Sequence, residues 1–133
     1  MRVAELMASE VKAVGPETMI AEAIAIMTES HVSAVPVVDA HNRLLGVLST
    51  TDIVQAAAER EDAEARQQLF EETLVRDVMT PRPATVGLET DVKQAAQQML
   101  YLDVHRLFVE EDGQLVGVLS QSDIVRGVAT AKI

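Results

Sequence analysis

Apolar residues recur along the chain with two periods. Over residues 20–30, Ile20, Ala23, Ile24 and Met27 share one face of a helix, and over 91–102 Val92, Ala95, Ala96 and Met99 do the same. Each helix is followed by two β-branched runs around a polar turn, "VPVVDAHNRLLGVLS" and "RLFVEEDGQLVGVLS". These read as hairpins, with Asn42 and Gly113 where the turn needs a positive φ. A small apolar strand is expected before each helix, near Val11–Val14 and near Ala84–Val86. Thr18 and Thr90 stand just ahead of the helices, where a hydroxyl can cap them. A last helix should begin after Ser49 and after Ser120. The order β-α-β-β-α is thus written twice.

The repetition extends to identities. Displacing the sequence by 72 aligns Val3 with Val75, Met7 with Met79, Gly15 with Gly87, Ala23 with Ala95 and Met27 with Met99. One residue is lost in the second hairpin turn, and the displacement becomes 71 from Leu44 onward. The copies are therefore drawn as 1–58 and 75–133. Each is too small to bury much surface alone, and the two are expected to share an interior. Residues 59–74 between them hold no Gly or Pro and many charged helix formers. They read as a solvated helical connector, with an Asp62–Arg66 pair one turn apart and with Leu69 and Phe70 as the residues able to dock.

Composition narrows the chemistry. Hydrophobic residues make up 48% of the chain and aromatics 2%, so the core must be aliphatic. Cysteine is absent, which removes disulfides and thiolate metal sites. No apolar run approaches the roughly 20 residues that span a bilayer, and the N-terminus lacks a secretory h-region. The expectation is a cytoplasmic protein without a membrane partner. A net charge of −10 with scattered Lys and Arg disfavours nucleic acid, although a small anion can still be held by a few local donors. His31, His41 and His105 do not have the spacing of a metal cluster, and "EEDG" is too short for a calcium cage. No P-loop, nucleophile elbow or zinc-protease motif is present, so neither a catalytic residue nor a metal ligand is assigned.

The most informative phrase is "GVLSTTDIV" at 46–54, which returns as "GVLSQSDIV" at 117–125. Ser-x-x-Asp at the start of a helix is a capping box, the hydroxyl and the carboxylate each satisfying a backbone N–H of the other residue. The same atoms suit a ligand. A strand ending at a helix N-terminus directs N–H groups and the positive end of a dipole outward, where a phosphate can lodge. An Asp one turn on can accept from ribose hydroxyls, and Gly46 or Gly117 permits close approach to the backbone. Both roles can coexist.

On these residues the chain resembles a tandem pair of CBS domains, named after cystathionine β-synthase. The family pattern G-h-h-[T/S]-x-x-D is matched by Gly46, Ser49 and Asp52 and again by Gly117, Ser120 and Asp123. "AVPVVDAHNRLLGVLS" is similar to the family's hairpin, and "VRDVMTPRPATV" to its lead-in. The resemblance implies an α/β (α+β) fold of two repeats about a pseudo-twofold axis, with clefts that take adenosine-containing ligands. AMP, ADP, ATP, NAD or S-adenosylmethionine would be regulatory ligands, and no cofactor would be required. It also implies that Asp52 and Asp123 hold ribose and that Ser49 and Ser120 contact phosphate or sugar. The backbone near Val14 and Val35 would flank one adenine, and Thr85, Val86 and Leu107 the other.

The copies differ at one informative place. His105 and Arg106 precede the second hairpin, where the first copy has Ser33 and Ala34. Arg106 can make a charge-assisted contact to phosphate, so a phosphate is expected near it; Arg76 and Arg82 read as surface residues. The function expected is a non-catalytic sensor that forms a homodimer and acts on an effector protein in trans. The rival is an interaction scaffold in which both Ser–Asp pairs are only caps.

Overall fold

Both hairpins form where the alternation places them. In the computed structural model, which describes residues 1–130, the elements run α1 (Val3–Leu6), α2 (Ile20–Ser30), β1 (Ala34–Val38), β2 (Leu44–Ser49), α3 (Thr50–Ala58), α4 (Ala63–Glu72), β3 (Thr80–Pro81), β4 (Thr85–Gly87), α5 (Val92–Leu102), β5 (Arg106–Glu111), β6 (Gln114–Ser120) and α6 (Gln121–Ala129). A single 3-10 turn, Val75–Asp77, precedes β3. Asn42 has φ 62° and Gly113 φ 80°, the left-handed geometry that each turn requires. The fold is the mixed α/β one expected.

The chain packs as two units: Lys12–Arg82, and Met1–Val11 with the chain from Pro83 onward. In the first unit the strand order is β1-β2-β3. Strand β1 is antiparallel to β2, with Ala34 opposite Ser49 and a bulge between Val37 and Val38. Strand β3 joins antiparallel to β2, with Thr80 opposite Val47. The strand expected at 11–14 shrinks to one parallel bridge, Val14 to Val37, because Gly15-Pro16 follows and Pro has no N–H to extend a ladder. Val14, Ile20, Val35, Val37, Leu48 and Val75 form the core, with Phe70, Val78 and Met79 packed against it.

In the second unit β4 runs parallel to β5 and β6 runs antiparallel to β5. Its core gathers Val3, Val86, Ala95, Met99, Leu107, Val109 and Leu119. Residues 3 and 75 thus lie in the core of the copy to which they do not belong in sequence. Met7 and Ala8 lie across Gly117 of β6, and Met79 and Thr80 across Gly46 of β2. The lead-ins are exchanged between copies, so the repeats in sequence and the units in space are different divisions of the chain.

Three local expectations change. Thr18 does not cap α2, whose N-cap is Met19; its Oγ1 instead accepts from the Gly15 N–H at 3.1 Å. Helix α5 is capped by Asp91 rather than Thr90, the carboxylate accepting from the Lys93 N–H at 2.8 Å. The connector is not simply solvated. Asp62 caps α4 by accepting from the Ala65 N–H at 2.8 Å, and Arg66 donates to the Arg60 carbonyl at 3.3 Å rather than pairing with Asp62. Leu69 is fully buried.

Candidate ligand site

Each copy carries its candidate site where the last strand meets the last helix. At the first junction the Asp52 N–H donates to Ser49 Oγ at 3.1 Å, and the Ser49 N–H donates to Asp52 Oδ2 at 2.9 Å. At the second, Asp123 N–H to Ser120 Oγ is 3.1 Å and Ser120 N–H to Asp123 Oδ2 is 2.8 Å. Both capping boxes are complete. The first amide of each helix is also engaged: Thr50 N–H donates to Ser33 O at 2.9 Å and Gln121 N–H to His105 O at 3.0 Å. Three amides that a phosphate could use are thus satisfied within the chain at each helix start, and charged side chains become the more important anion donors.

The outer carboxylate oxygen distinguishes the two junctions. Asp52 Oδ1 accepts from the Thr80 hydroxyl at 2.9 Å. Asp123 Oδ1 is held by the guanidinium of Arg126, one turn along α6. Asp123 is 6% exposed and Arg126 70% exposed, so a solvent-exposed cation covers a buried acid. Ala8 lies opposite Val118 as Thr80 lies opposite Val47. The second junction therefore has no hydroxyl at the place of Thr80, and Arg126 occupies the oxygen instead. Neither Thr80 nor Arg126 stood among the site residues read from the sequence. Two signals were available: the hydroxyl that follows Met79 but not Met7, and a cation three residues after Asp123.

The remaining site residues divide between the two units. Val14 and Val35 are buried in the first core, and the Val14 N–H and carbonyl are bonded to Pro36 O and the Val38 N–H. Val86 and Leu107 are buried in the second core. Thr85 pairs with Phe108 and its carbonyl accepts from Gln98 Nε2 at 3.2 Å. With the side chains of Val14, Val35, Val86 and Leu107 enclosed in the cores, what these positions can offer a ligand is backbone and the half-buried Thr85 side chain. His105 is exposed, and Arg106 is half-buried opposite Ser120 in the ladder. Burial lowers the Arg106 pKa from its ordinary value, the sign expected where a cation loses water. The equivalent of Arg106 in the first copy is Ala34, opposite Ser49.

Charge around the first unit differs too. A cavity of about 200 Å³ beside Asp52 is lined by Glu59, Asp77 and Arg60 among others, three acids in all against one base. A larger hollow of about 710 Å³ beside Val14 is bordered by Glu17, Glu22 and Asp39 with no base. Both disfavour a phosphate.

The sequence pattern described as "CBS domain" matches residues 3–59 and 75–130. The chain belongs to the CBS domain family. It is 29% identical to the chloroplastic CBS domain-containing protein CBSX1 of Arabidopsis thaliana, in an alignment covering 90% of this chain and 59% of that one. The chain thus spans about three-fifths of the length of that relative, and the same share of the related CBSX2. The crystal structure of CBSX2 in complex with AMP matches at a TM-score of 0.83 and 29% identity, covering 99% of this chain and 98% of that one. A CBS domain-containing protein of unknown function from Bacillus anthracis matches at 0.86 and 25% identity, over 100% of this chain and 95% of that one. The tandem CBS repeats are therefore established by pattern and by fold. No helix among the described residues is long and apolar enough to cross a membrane.

Proposed function

We propose that this CBS pair is a non-catalytic regulatory module that binds an adenosine-containing ligand at its strand-to-helix junctions. The observation that carries the reading is the reciprocal Ser–Asp box built twice, in a chain similar over its whole length to a protein crystallised with AMP. The carboxylates of Asp52 and Asp123 accept ribose hydroxyls, for which each outer oxygen retains lone-pair capacity. Ser49 and Ser120 stand at the sugar or phosphate. The backbone near Val14 and Val35 flanks one base, and Thr85, Val86 and Leu107 flank the other. His105 and Arg106 add donors at the second junction only, which makes it the stronger site for a phosphate.

The reading includes a homodimer and an effector protein that responds to the ligand-bound state. Dimerisation is supported by exposed Leu100, Tyr101, Val125 and Val128 on α5 and α6 and by Val54 on α3. A ligand changes the state of such an assembly only through differential affinity for its conformations.

Thermal melting with AMP, ADP, ATP, NAD and S-adenosylmethionine tests the proposal. A ligand at about 100 times its Kd adds roughly 2.7 kcal/mol, a rise on the order of 10 °C for a chain of this size. Asp52→Ala and Asp123→Ala should each reduce that rise. No rise with any adenosyl compound overturns the reading in favour of a scaffold whose Ser–Asp pairs are caps alone. A rise unchanged in both variants overturns the ribose assignment.

A further inference from the structure

The second junction holds a cation where the first holds a hydroxyl. Two pairs of equivalent positions produce the difference. Thr80 and Gln55 belong to the first junction, Ala8 and Arg126 to the second. Asp123 is nearly buried, and its outer oxygen is paired with the guanidinium of an exposed side chain, Arg126. A sugar that bonds to that oxygen competes with Arg126. Once displaced, the guanidinium stands one helical turn from the sugar, next to a new anion if the sugar carries a phosphate and next to none if it does not. Arg106, opposite Ser120 in the ladder, is a second cation at the same end of the helix. Ala34 and Gln55 put no charge at either equivalent position of the first junction.

We propose that Arg126 makes the Ser120–Asp123 junction selective for phosphorylated over unphosphorylated nucleosides, by neutralising Asp123 before binding and the ligand's phosphate after it. A bare nucleoside breaks the ion pair without replacing it. A nucleotide breaks it and offers the guanidinium a stronger, bidentate partner. Arg126 is thus the specificity determinant of this junction, and the first junction, closed by a neutral hydroxyl, discriminates less. The proposal rests on the adenosyl-binding reading above.

Calorimetric titration of AMP and adenosine tests it, with Asp52→Ala as the background so that the second junction is read by itself. In that background AMP should bind at least roughly tenfold more tightly than adenosine, the scale of one charge-assisted hydrogen bond. Arg126→Gln should weaken AMP by a similar factor while adenosine binds as well or better. Arg126→Lys should restore part of the preference. Adding Ala8→Thr to Arg126→Gln restores the hydroxyl partner of the first junction and should leave only the smaller preference for AMP that Arg106 supports. Parallel loss of both ligands in Arg126→Gln, or an unchanged ratio, overturns the proposal and leaves Arg126 as a support for α6. Binding of both ligands by the unsubstituted chain but of neither in the Asp52→Ala background also overturns it, with the adenosyl reading intact. Binding of neither by the unsubstituted chain removes the adenosyl reading as well.

Discussion

Gly46 and Gly117 show how one residue can be read correctly in kind and incompletely in partner. The sequence marks them as points of close approach. What approaches is the chain itself: a Cβ on Gly46 would lie 2.8 Å from the Met79 sulfur and 2.8 Å from Thr80 O, and one on Gly117 2.6 Å from the Met7 sulfur and 2.8 Å from Ala8 O. A methionine can swing aside, but a hydrogen-bonded backbone carbonyl cannot. Gly46→Ala and Gly117→Ala should each destabilise by about 1–3 kcal/mol in urea unfolding, through a shift of the lead-in strand and with no ligand present. Asp39 acts at the same scale. Its carboxylate accepts from the Arg43 N–H at 2.9 Å and the His41 N–H at 2.8 Å. The Arg43 hydrogen bond first, then that of His41 and the nearby positive charges, outweigh desolvation and hold its pKa below the ordinary carboxylate value. A depressed folded pKa means stability present above the unfolded value and lost as pH falls through the folded one. Carbon-detected NMR should place the Asp39 midpoint below that of an Asp in an unfolded peptide, and Asp39→Asn should flatten this part of the acid limb of the stability curve.

At the scale of elements, legibility follows periodicity. Helices α2 and α5 and both hairpins were readable because each repeats its burial pattern over many residues, and an error at one position does not shift the rest. Caps are single-residue events, and they went astray. Thr18 was drawn into a bond with Gly15, and Asp91, one residue beyond Thr90, reached the α5 amides. The Ser49 and Ser120 boxes were legible because two residues at fixed spacing specify them together. Helix α4 was obscured by its charge: the composition of 59–74 describes its exposed face, whereas one residue decides its position. Leu69 has no exposed surface, and Phe70 packs on the first core. Leu69→Ala should cost about 2–5 kcal/mol, far more than any single charge removal on the same helix. Chemical denaturation of Leu69→Ala against Glu71→Ala separates the two cases, and equal effects would return α4 to the status of a solvated linker.

The exchange of lead-ins is a property of the whole molecule, and no window of sequence contains it. "VAELM" and "VRDVM" each show that an apolar side chain must be buried, but the choice of host depends on contacts far along the chain. Val75 completes the core of residues 14–48, and Val3 completes that of residues 86–119. Folding therefore needs the chain to cross between units near residue 12 and again near residue 82. The consequence is a test by truncation. A fragment 1–74 holds the whole first copy and the connector, yet lacks Val75, Val78, Met79 and strand β3. A fragment 12–82 has ragged ends by the sequence repeat but keeps every residue of that core. In circular dichroism with urea, 12–82 should unfold in one cooperative transition, although with the small margin of a unit this size. The 1–74 fragment should lose cooperativity, because an open sheet edge and a missing core residue remove more than such a margin supplies. The opposite ranking would mean that the repeat, not the exchanged unit, is what folds.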